Sequence, residues 1–141
     1  MKKILVATDG SETSNKALIE ARKIGELRES KITIINIVND VVIHPYLVTQ
    51  DYSIKTNEGL VSLSKELLNE ALKLFEGFSG EVEVKQRIGS AGREIIEEAN
   101  EGGYDLLVMG NRGLGAISRA MLGSVSNKVL NHVKTDVLIV K

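Results

Sequence analysis

Several residue types are missing or scarce in this chain of 141 residues, and each absence excludes a class of function. Without cysteine, the chain can form no disulfide, thiolate zinc site, iron–sulfur cluster or cysteine nucleophile. Its two histidines, His44 and His132, are too few and too far apart for a histidine-rich metal site. Neither sign of charge predominates, since 18 Lys and Arg face 19 Asp and Glu, so composition predicts no nucleic-acid or membrane partner.

Long apolar runs are also missing, which argues against a signal peptide or a membrane span. The N-terminal apolar run breaks at Thr8 and Asp9, short of the roughly 7–15 residues of a secretory segment. No other run approaches the roughly 18 residues that predict a membrane-spanning helix. We therefore expect a soluble cytoplasmic protein, and the length predicts a single domain over residues 1–141.

Short apolar runs alternate along the chain with segments of helical periodicity. The runs predict five strands, at residues 3–8, 32–38, 82–88, 106–109 and 137–140. Between them, apolar residues at helical spacing predict four helices, with the strongest pattern between Leu60 and Phe75. The stretch from Asp40 to Asn57 has no clear period and contains the only proline, so we interpret it as a long connection.

This alternation is typical of right-handed βαβ crossovers. It predicts an α/β fold with an open, twisted, five-stranded parallel sheet, doubly wound and Rossmann-like, with helices on both faces. In such sheets, ligands bind beyond the carboxyl ends of the strands. Candidate site residues should therefore lie at the strand exits Thr8–Ser11, Val38–Asp40, Ile88–Gly92 and Gly110–Gly123.

The segment after the fourth predicted strand has the composition of an anion site. Its glycines would permit positive φ or a close approach of backbone to ligand. Gly123-Ser124 opens a predicted helix whose free N–H groups favour an anion, and the hydroxyls of Ser124 and Ser126 would add donors. Four basic residues and no acidic one lie between Gly110 and Thr135, which favours a phosphate-bearing ligand. Alternatively, the glycines only form turns, Ser124 is an ordinary N-cap and the basic residues face solvent.

Two other phosphate-binding motifs are absent. The chain has no Gly-Lys pair, which a Walker loop requires. The dinucleotide motif Gly-x-Gly-x-x-Gly should follow the first strand, where the sequence reads Asp9-Gly10-Ser11. The segment from Gly110 to Ser126 is therefore the candidate phosphate loop.

Several motifs together resemble the universal stress protein family. The spacing Gly110-x2-Gly113-x9-Gly123-Ser124 is similar to the signature of its ATP-binding members. The segment 7–11 (Ala-Thr-Asp-Gly-Ser) resembles the family's opening, and 136–140 (Asp-Val-Leu-Ile-Val) resembles its last strand. The resemblance covers essentially the whole chain. It implies the adenine nucleotide alpha hydrolase-like form of the fold, with ATP and Mg²⁺ as ligand.

The resemblance also implies roles for the matching positions. The nucleoside would lie against Ala7, Thr8 and Asp9, with the Asp9 carboxylate near the ribose or a metal-bound phosphate. The main chain of Ile37 would bind the adenine edge, and Met109 would border the base or ribose. The remaining positions would line the ribose and phosphates: Gly110, Arg112, Gly113, Gly123, Ser124, Val125 and Ser126. Asp9 could also be only a turn or helix-cap residue, a frequent role of aspartate.

These features predict an ATP-binding regulatory module of a stress response. The segment Gly110–Ser126 contains no carboxylate and no glutamine to orient water, so we expect no dedicated catalytic residue and at most weak ATPase activity. An adenylyl transferase is disfavoured because a His-x-Gly-His signature is absent after the first strand. A flavodoxin-like carrier is disfavoured because the chain lacks tryptophan and a Ser/Thr-rich loop at that place. A nucleotide-free dimeric interaction module of the same fold stays open.

The predicted last strand suggests how the protein assembles. Residues from Asp136 to Lys141 are largely apolar, and at a sheet edge they would expose unpaired N–H and C=O groups. Pairing this strand with its twin would close a two-fold homodimer, as the family resemblance also implies. The sequence indicates no particular protein partner.

Overall fold

The computed structural model describes residues 2–39, 50–112 and 122–141, which form alternating strands and helices. The strands are β1 (Lys3–Ala7), β2 (Lys31–Asn39), β3 (Glu81–Gly89), β4 (Leu106–Gly110) and β5 (Asp136–Val140). The helices are α1 (Glu12–Glu26), α2 (Gln50–Lys73), α3 (Ala91–Glu101) and α4 (Ser124–His132). The alternation predicted from apolar periodicity is therefore confirmed.

The strands form one parallel sheet in the order β3-β2-β1-β4-β5. In the central strand β1, Ile4 aligns with Ile32 of β2 on one side and with Leu106 of β4 on the other. The chain extends the sheet from β1 to β3 and then returns to β4, so the strand order reverses between β1 and β4. This reversal confirms the doubly wound fold, and it marks the carboxyl ends of β1 and β4 as the expected ligand position.

Two apolar layers cover the sheet, because successive side chains of a strand point to opposite faces. On one face, Val6 belongs to a cluster with Leu18 of α1 and Leu68 of α2. On the other face, Leu5 belongs to a cluster with residues of α3 and with Val129 of α4. Leu5 and Val6 are both fully buried. The central strand is therefore held from both sides, and its carboxyl end has a fixed position.

Helix α2 begins well before the point at which its apolar pattern starts. We expected residues 40–57 to form a connection, whereas the helix starts at Gln50; residues 40–49 lie outside the described part. Residues 50–57 contain no proline or glycine, and extending a helix is much easier than nucleating one. Although α2 is the longest helix, no helix within the described residues has the length and hydropathy needed to cross a bilayer.

Charged side chains join the edge strand β3 to helix α3. Arg87 forms ion pairs at 2.8–3.0 Å with three glutamates of α3: Glu94, Glu97 and Glu98. Lys85 pairs with the same Glu98 carboxylate at 2.8 Å. Burial alone would raise the pKa of Glu98, but hydrogen bonds from Lys85, from a tyrosine hydroxyl and from Arg87 lower it. These charges fix α3 to a strand that has a neighbour on one side only.

Candidate functional site

A cleft of about 420 Å³ opens beyond the carboxyl ends of β1, β2 and β4, where the strand order reverses. Its volume is in the range of small-ligand sites. Eleven of the twelve site residues predicted from the sequence line it: Ala7, Thr8, Asp9, Ile37, Met109, Gly110, Arg112, Gly123, Ser124, Val125 and Ser126. The twelfth, Gly113, lies outside the described residues. The functional roles assigned to these residues stay predictions.

The loop after β1 places Asp9 in the wall of the cleft. Its carboxylate accepts a hydrogen bond at 2.9 Å from the backbone N–H of Ser11, which closes a tight turn. Ser11 is the N-cap of α1, and its hydroxyl oxygen accepts from the backbone N–H of Ser14 at 3.3 Å. Gly10 between them has a φ of +83°, which favours glycine. Asp9 is therefore a turn residue, as the alternative interpretation held, and it also lines the cleft.

The first turn of α1 joins the ends of β1 and β4. The hydroxyls of Thr8 and Ser14 lie 3.2 Å apart, and the Thr13 hydroxyl donates to the backbone carbonyl of Arg112. A Cβ added at Gly110 would lie 2.5 Å from Thr13 Oγ1 and 2.8 Å from its carbonyl carbon. Gly110 is not among the glycines with a positive φ. Glycine is needed there because α1 approaches β4 so closely.

The N-terminus of α4 contributes backbone donors to the cleft. Gly123 is its N-cap, with φ −62° and ψ 158°, and has no side chain that could cap the helix. Gly123 therefore does not use the positive φ that glycine permits, and Ser124 is the first helical residue and not the N-cap. The N–H groups of Ser124, Val125 and Ser126 have no acceptor within the helix. Together with the helix dipole, they favour an anion at this place.

Two hydrogen bonds fasten the start of α4 to the end of β4. The buried Ser126 hydroxyl donates to the backbone carbonyl of Gly110 at 2.8 Å. The backbone N–H of Gly123 donates to the carbonyl of Asn111 at 2.6 Å. The prediction that the Ser126 hydroxyl donates to a ligand is wrong for this arrangement, because its single proton is already used. Its backbone N–H and the exposed Ser124 are the groups that face the cleft.

Arg112 adds a positive charge to the same cleft. Its Nε atom is buried and has no hydrogen-bond acceptor among the described residues. A guanidinium stays charged at any physiological pH, and a buried donor without an acceptor is unfavourable. An oxyanion such as phosphate would supply the acceptor that this atom needs.

Much of the remaining wall is apolar. Ile37 and Met109, both predicted from the sequence, are joined there by Ile35 and Ile95. Ile35 is almost completely buried, and Met109 and Ile95 are each about 5% exposed. Such a surface suits the faces of a flat, weakly polar ring system. A nucleotide base could therefore lie against this wall, beside the groups that favour an anion.

Six lining residues are not among the twelve positions predicted from the sequence: Ser14, Ile35, Asn36, Asn39, Ala91 and Ile95. Of these, Asn39 and Ala91 do lie within predicted strand exits. Asn36 carried a signal that could have revealed it, since it is an amide inside the β-branched run Ile32–Val38. A buried amide needs hydrogen-bond partners, so its position in a strand indicates a specific contact. The apolar members have the pattern of ordinary core residues, and nothing in the sequence distinguishes them.

A metal ion would find few protein ligands in this cleft. Within the described part of the chain, no group of three or more His, Asp or Glu side chains could hold one. Asp9 is the only carboxylate among the lining residues that the structure describes. With the described residues alone as protein ligands, Mg²⁺ would need phosphate oxygens and water to complete its octahedral coordination.

The fold and the cleft define a doubly wound α/β protein with a ligand-sized site at its topological switch point. The family model of the universal stress protein family matches residues 1–141. The chain belongs to that family, and the resemblance inferred from its motifs is confirmed.

Individual relatives agree with this assignment. A Staphylococcus haemolyticus protein that bears the family's name is 34% identical over 143 residues, which cover 99% of this chain and 84% of that protein. The universal stress protein UspA from Lactobacillus plantarum shares the fold, with a TM-score of 0.89, 22% identity and coverage of 99% and 97% of the two chains. A universal stress protein solved in complex with cAMP is 30% identical, with a TM-score of 0.73 and the same coverage.

Proposed function

We propose that this protein binds an adenine nucleotide, with ATP as the expected ligand, and acts as a nucleotide-responsive module of a stress response. One arrangement carries the proposal: the α4 N-terminus, capped by Gly123, lines the same cleft as Arg112 and an apolar wall. The helix N-terminus and the guanidinium suit phosphates, and the wall suits a base. The 30% identical relative solved with cAMP supports an adenine nucleotide in particular.

The positions of these groups imply how the ligand lies. The phosphates accept hydrogen bonds from the N–H groups at the start of α4 and pair with the Arg112 guanidinium. The base lies against Ile37 and Met109, and Asp9 is close to the ribose or to a Mg²⁺-bound phosphate. Mg²⁺, when bound, neutralises part of the phosphate charge. The Ser126 hydroxyl acts indirectly, because its bond to Gly110 holds α4 at the edge of the sheet.

The same residues argue against fast hydrolysis. Rapid phosphoryl transfer needs a group that orients the attacking water and a clamp on the transferred phosphoryl group. Asp9 is the only carboxylate among the described lining residues, and it accepts a hydrogen bond from the Ser11 N–H. We infer that the protein is at most a weak ATPase and that binding, not turnover, is its activity.

Two measurements test the proposal. Heating the purified protein should release an adenine nucleotide that mass spectrometry identifies. In calorimetric titrations of nucleotide-free protein, Arg112→Ala should lower ATP affinity about tenfold or more, because a charge-assisted hydrogen bond is lost. Arg28→Ala is the matched control, since Arg28 is exposed and lies outside the cleft.

The outcome also separates the alternatives. A released flavin would contradict the proposal. An empty protein with no measurable ATP affinity would favour the nucleotide-free interaction module of the same fold. Equal ATP affinity in the Arg112→Ala and Arg28→Ala proteins would show that the Arg112 guanidinium does not bind the phosphates.

We further propose a homodimer that pairs β5 with its copy. Among the described strands, β5 lies at an edge of the sheet and pairs only with β4. Its residues from Val137 to Val140 are all partly exposed, and Val125 and Leu130 of the preceding helix are 37% and 44% exposed. A second copy would pair the open N–H and C=O groups and cover these apolar side chains.

A further inference from the structure

A buried chain of hydrogen bonds leads from helix α2 to the end of β1. The Ser64 hydroxyl of α2 donates to the side-chain oxygen of Asn36 at 2.6 Å, and the Asn36 amide nitrogen donates to the backbone carbonyl of Thr8 at 2.7 Å. Ser64, Asn36 and Thr8 are 5%, 7% and 5% exposed. Thr8 immediately precedes Asp9, so this series of hydrogen bonds ends at the loop that carries Asp9, the proposed ligand of the ribose or of Mg²⁺.

Each bond in this chain has only one workable direction. The Thr8 carbonyl can only accept, so the Asn36 amide must present its nitrogen there and its oxygen towards α2. The Ser64 hydroxyl then supplies the donor that this buried oxygen requires. Loss of the hydroxyl would leave the amide oxygen without a hydrogen-bond partner among the described residues and allow the side chain to turn. Ser64 therefore fixes the orientation of Asn36, and Asn36 fixes the Thr8 carbonyl.

Helix α2 touches the same loop at a second point. Gly10, two residues after Thr8, has a φ of +83°, and a Cβ there would lie 3.1 Å from Cδ1 of Leu67. Leu67 is three residues after Ser64, so both contacts come from adjacent turns of one helix face. The loop that carries Asp9 is thus held by α2 on both sides of the aspartate.

We propose that Ser64 is a positioning residue for the nucleotide, although no described residue of α2 lines the cleft. It acts through Asn36, which holds the Thr8 carbonyl and thereby sets the place of Asp9. Nucleotide binding in the cleft and the rigidity of α2 are therefore coupled, so the exposed face of α2 differs between the nucleotide-bound and the nucleotide-free protein. This inference rests on the proposed nucleotide binding.

The first test compares two serine variants of the same helix. Ser64→Ala removes the buried hydroxyl, whereas Ser62→Ala makes the same change at an exposed position. We expect Ser64→Ala to lower the affinity for ATP with Mg²⁺ about three- to tenfold at a temperature where both variants are folded. Ser62→Ala should bind as the wild type does. Ser64→Thr, which keeps the hydroxyl, should restore most of the affinity.

The second test needs no variant. Saturating wild-type protein with ATP and Mg²⁺ should slow hydrogen exchange of the backbone amides of residues 60–68 in α2, although none of these residues lines the cleft itself. A merely structural Ser64 would leave these exchange rates unchanged. The Ser64→Ala protein should lose the protection while the amides at the start of α4 keep it.

The outcomes distinguish this inference from the function on which it rests. If the wild-type protein binds no adenine nucleotide, the proposed function fails and this inference fails with it. If the wild type binds ATP but its α2 amides exchange at unchanged rates, the coupling is overturned and the proposed function stands. Equal ATP affinity in folded Ser64→Ala and Ser62→Ala proteins would overturn it as well.

Discussion

Replacing Gly110 with alanine should deform the cleft through the first turn of α1. The added Cβ would lie 2.5 Å from Thr13 Oγ1 and 2.8 Å from the Thr13 carbonyl carbon, which is closer than folded proteins permit. The side-chain oxygen could rotate away, but the backbone carbon cannot, so α1 or β4 must shift. Either shift disturbs the hydrogen bond from Thr13 to the Arg112 carbonyl and the spacing of the two strand ends.

The expected size of the effect follows from this overlap. Overpacking of this kind lowers the free energy of unfolding by about 1–3 kcal/mol. For a chain of 141 residues, a loss of about 2 kcal/mol lowers Tm by roughly 4–8 °C, which differential scanning calorimetry can measure. Because Arg112 is displaced with the strand end, ATP affinity measured well below Tm should fall about tenfold.

Gly59→Ala is the matched control for this substitution. Gly59 lies within α2, and the described residues leave open space around the position of its Cβ. Alanine is the better helix former, so this variant should gain roughly 0.5–1 kcal/mol in the free energy of unfolding and bind ATP normally. The two glycine substitutions should therefore shift Tm in opposite directions. A Gly110→Ala protein that unfolds at the wild-type temperature and binds ATP normally would refute the reasoning.

Three further predictions concern acid stability, the ligand and assembly. Because its ion pairs lower the pKa of Glu98 below 4.5, the unfolded chain binds more protons in acid, and the free energy of unfolding falls as pH drops below about 5. In urea titrations at pH 7, the Glu98→Gln protein should have a free energy of unfolding about 2 kcal/mol lower than the wild type, and this free energy should fall less steeply in acid. The exposed Glu101→Gln substitution should change neither quantity. Gly123 has a φ of −62°, which valine also adopts, so Gly123→Val should lower the free energy of unfolding by only about 1 kcal/mol but weaken ATP binding about tenfold. Equal ATP affinity in the wild-type and Gly123→Val proteins would contradict the phosphate site. Light scattering at micromolar concentration should give twice the chain mass of 15.4 kDa, and a monomer would contradict pairing through β5.

The order of strands and helices could be predicted because burial leaves a pattern in the sequence. A strand covered on both faces is apolar along its length, and β2 appears at Lys31–Asn39 where residues 32–38 predicted it. The start of α2 left no such pattern, since residues 50–57 are of mixed polarity.

The candidate site could be predicted as far as topology alone determines it. Ligands bind at strand ends in a doubly wound sheet, so Asp9 was identifiable from its place after a strand. Ser124 was identifiable from its place at the start of a predicted helix, and Met109 was identifiable only from the resemblance to the family. Contacts between distant segments were not, because they depend on how two elements meet. Ser64 and Asn36 are 28 residues apart, and neither residue alone indicates its partner. For the same reason, the sequence did not indicate that glycine at position 110 permits the close approach of helix α1.

The pairing of β1 with β4 also determines when the cleft can form during synthesis. Ile4 pairs with Leu106, so the two strands leave the ribosome about a hundred residues apart, a delay of roughly 5–20 s. During that interval β1, β2 and β3 can already pair, while the other side of β1 is an open apolar edge. The start of α4 is made later still, so an incomplete chain has neither a protected central strand nor the proposed phosphate site. We therefore expect a nascent chain of this protein to be most exposed to aggregation just before the candidate site forms.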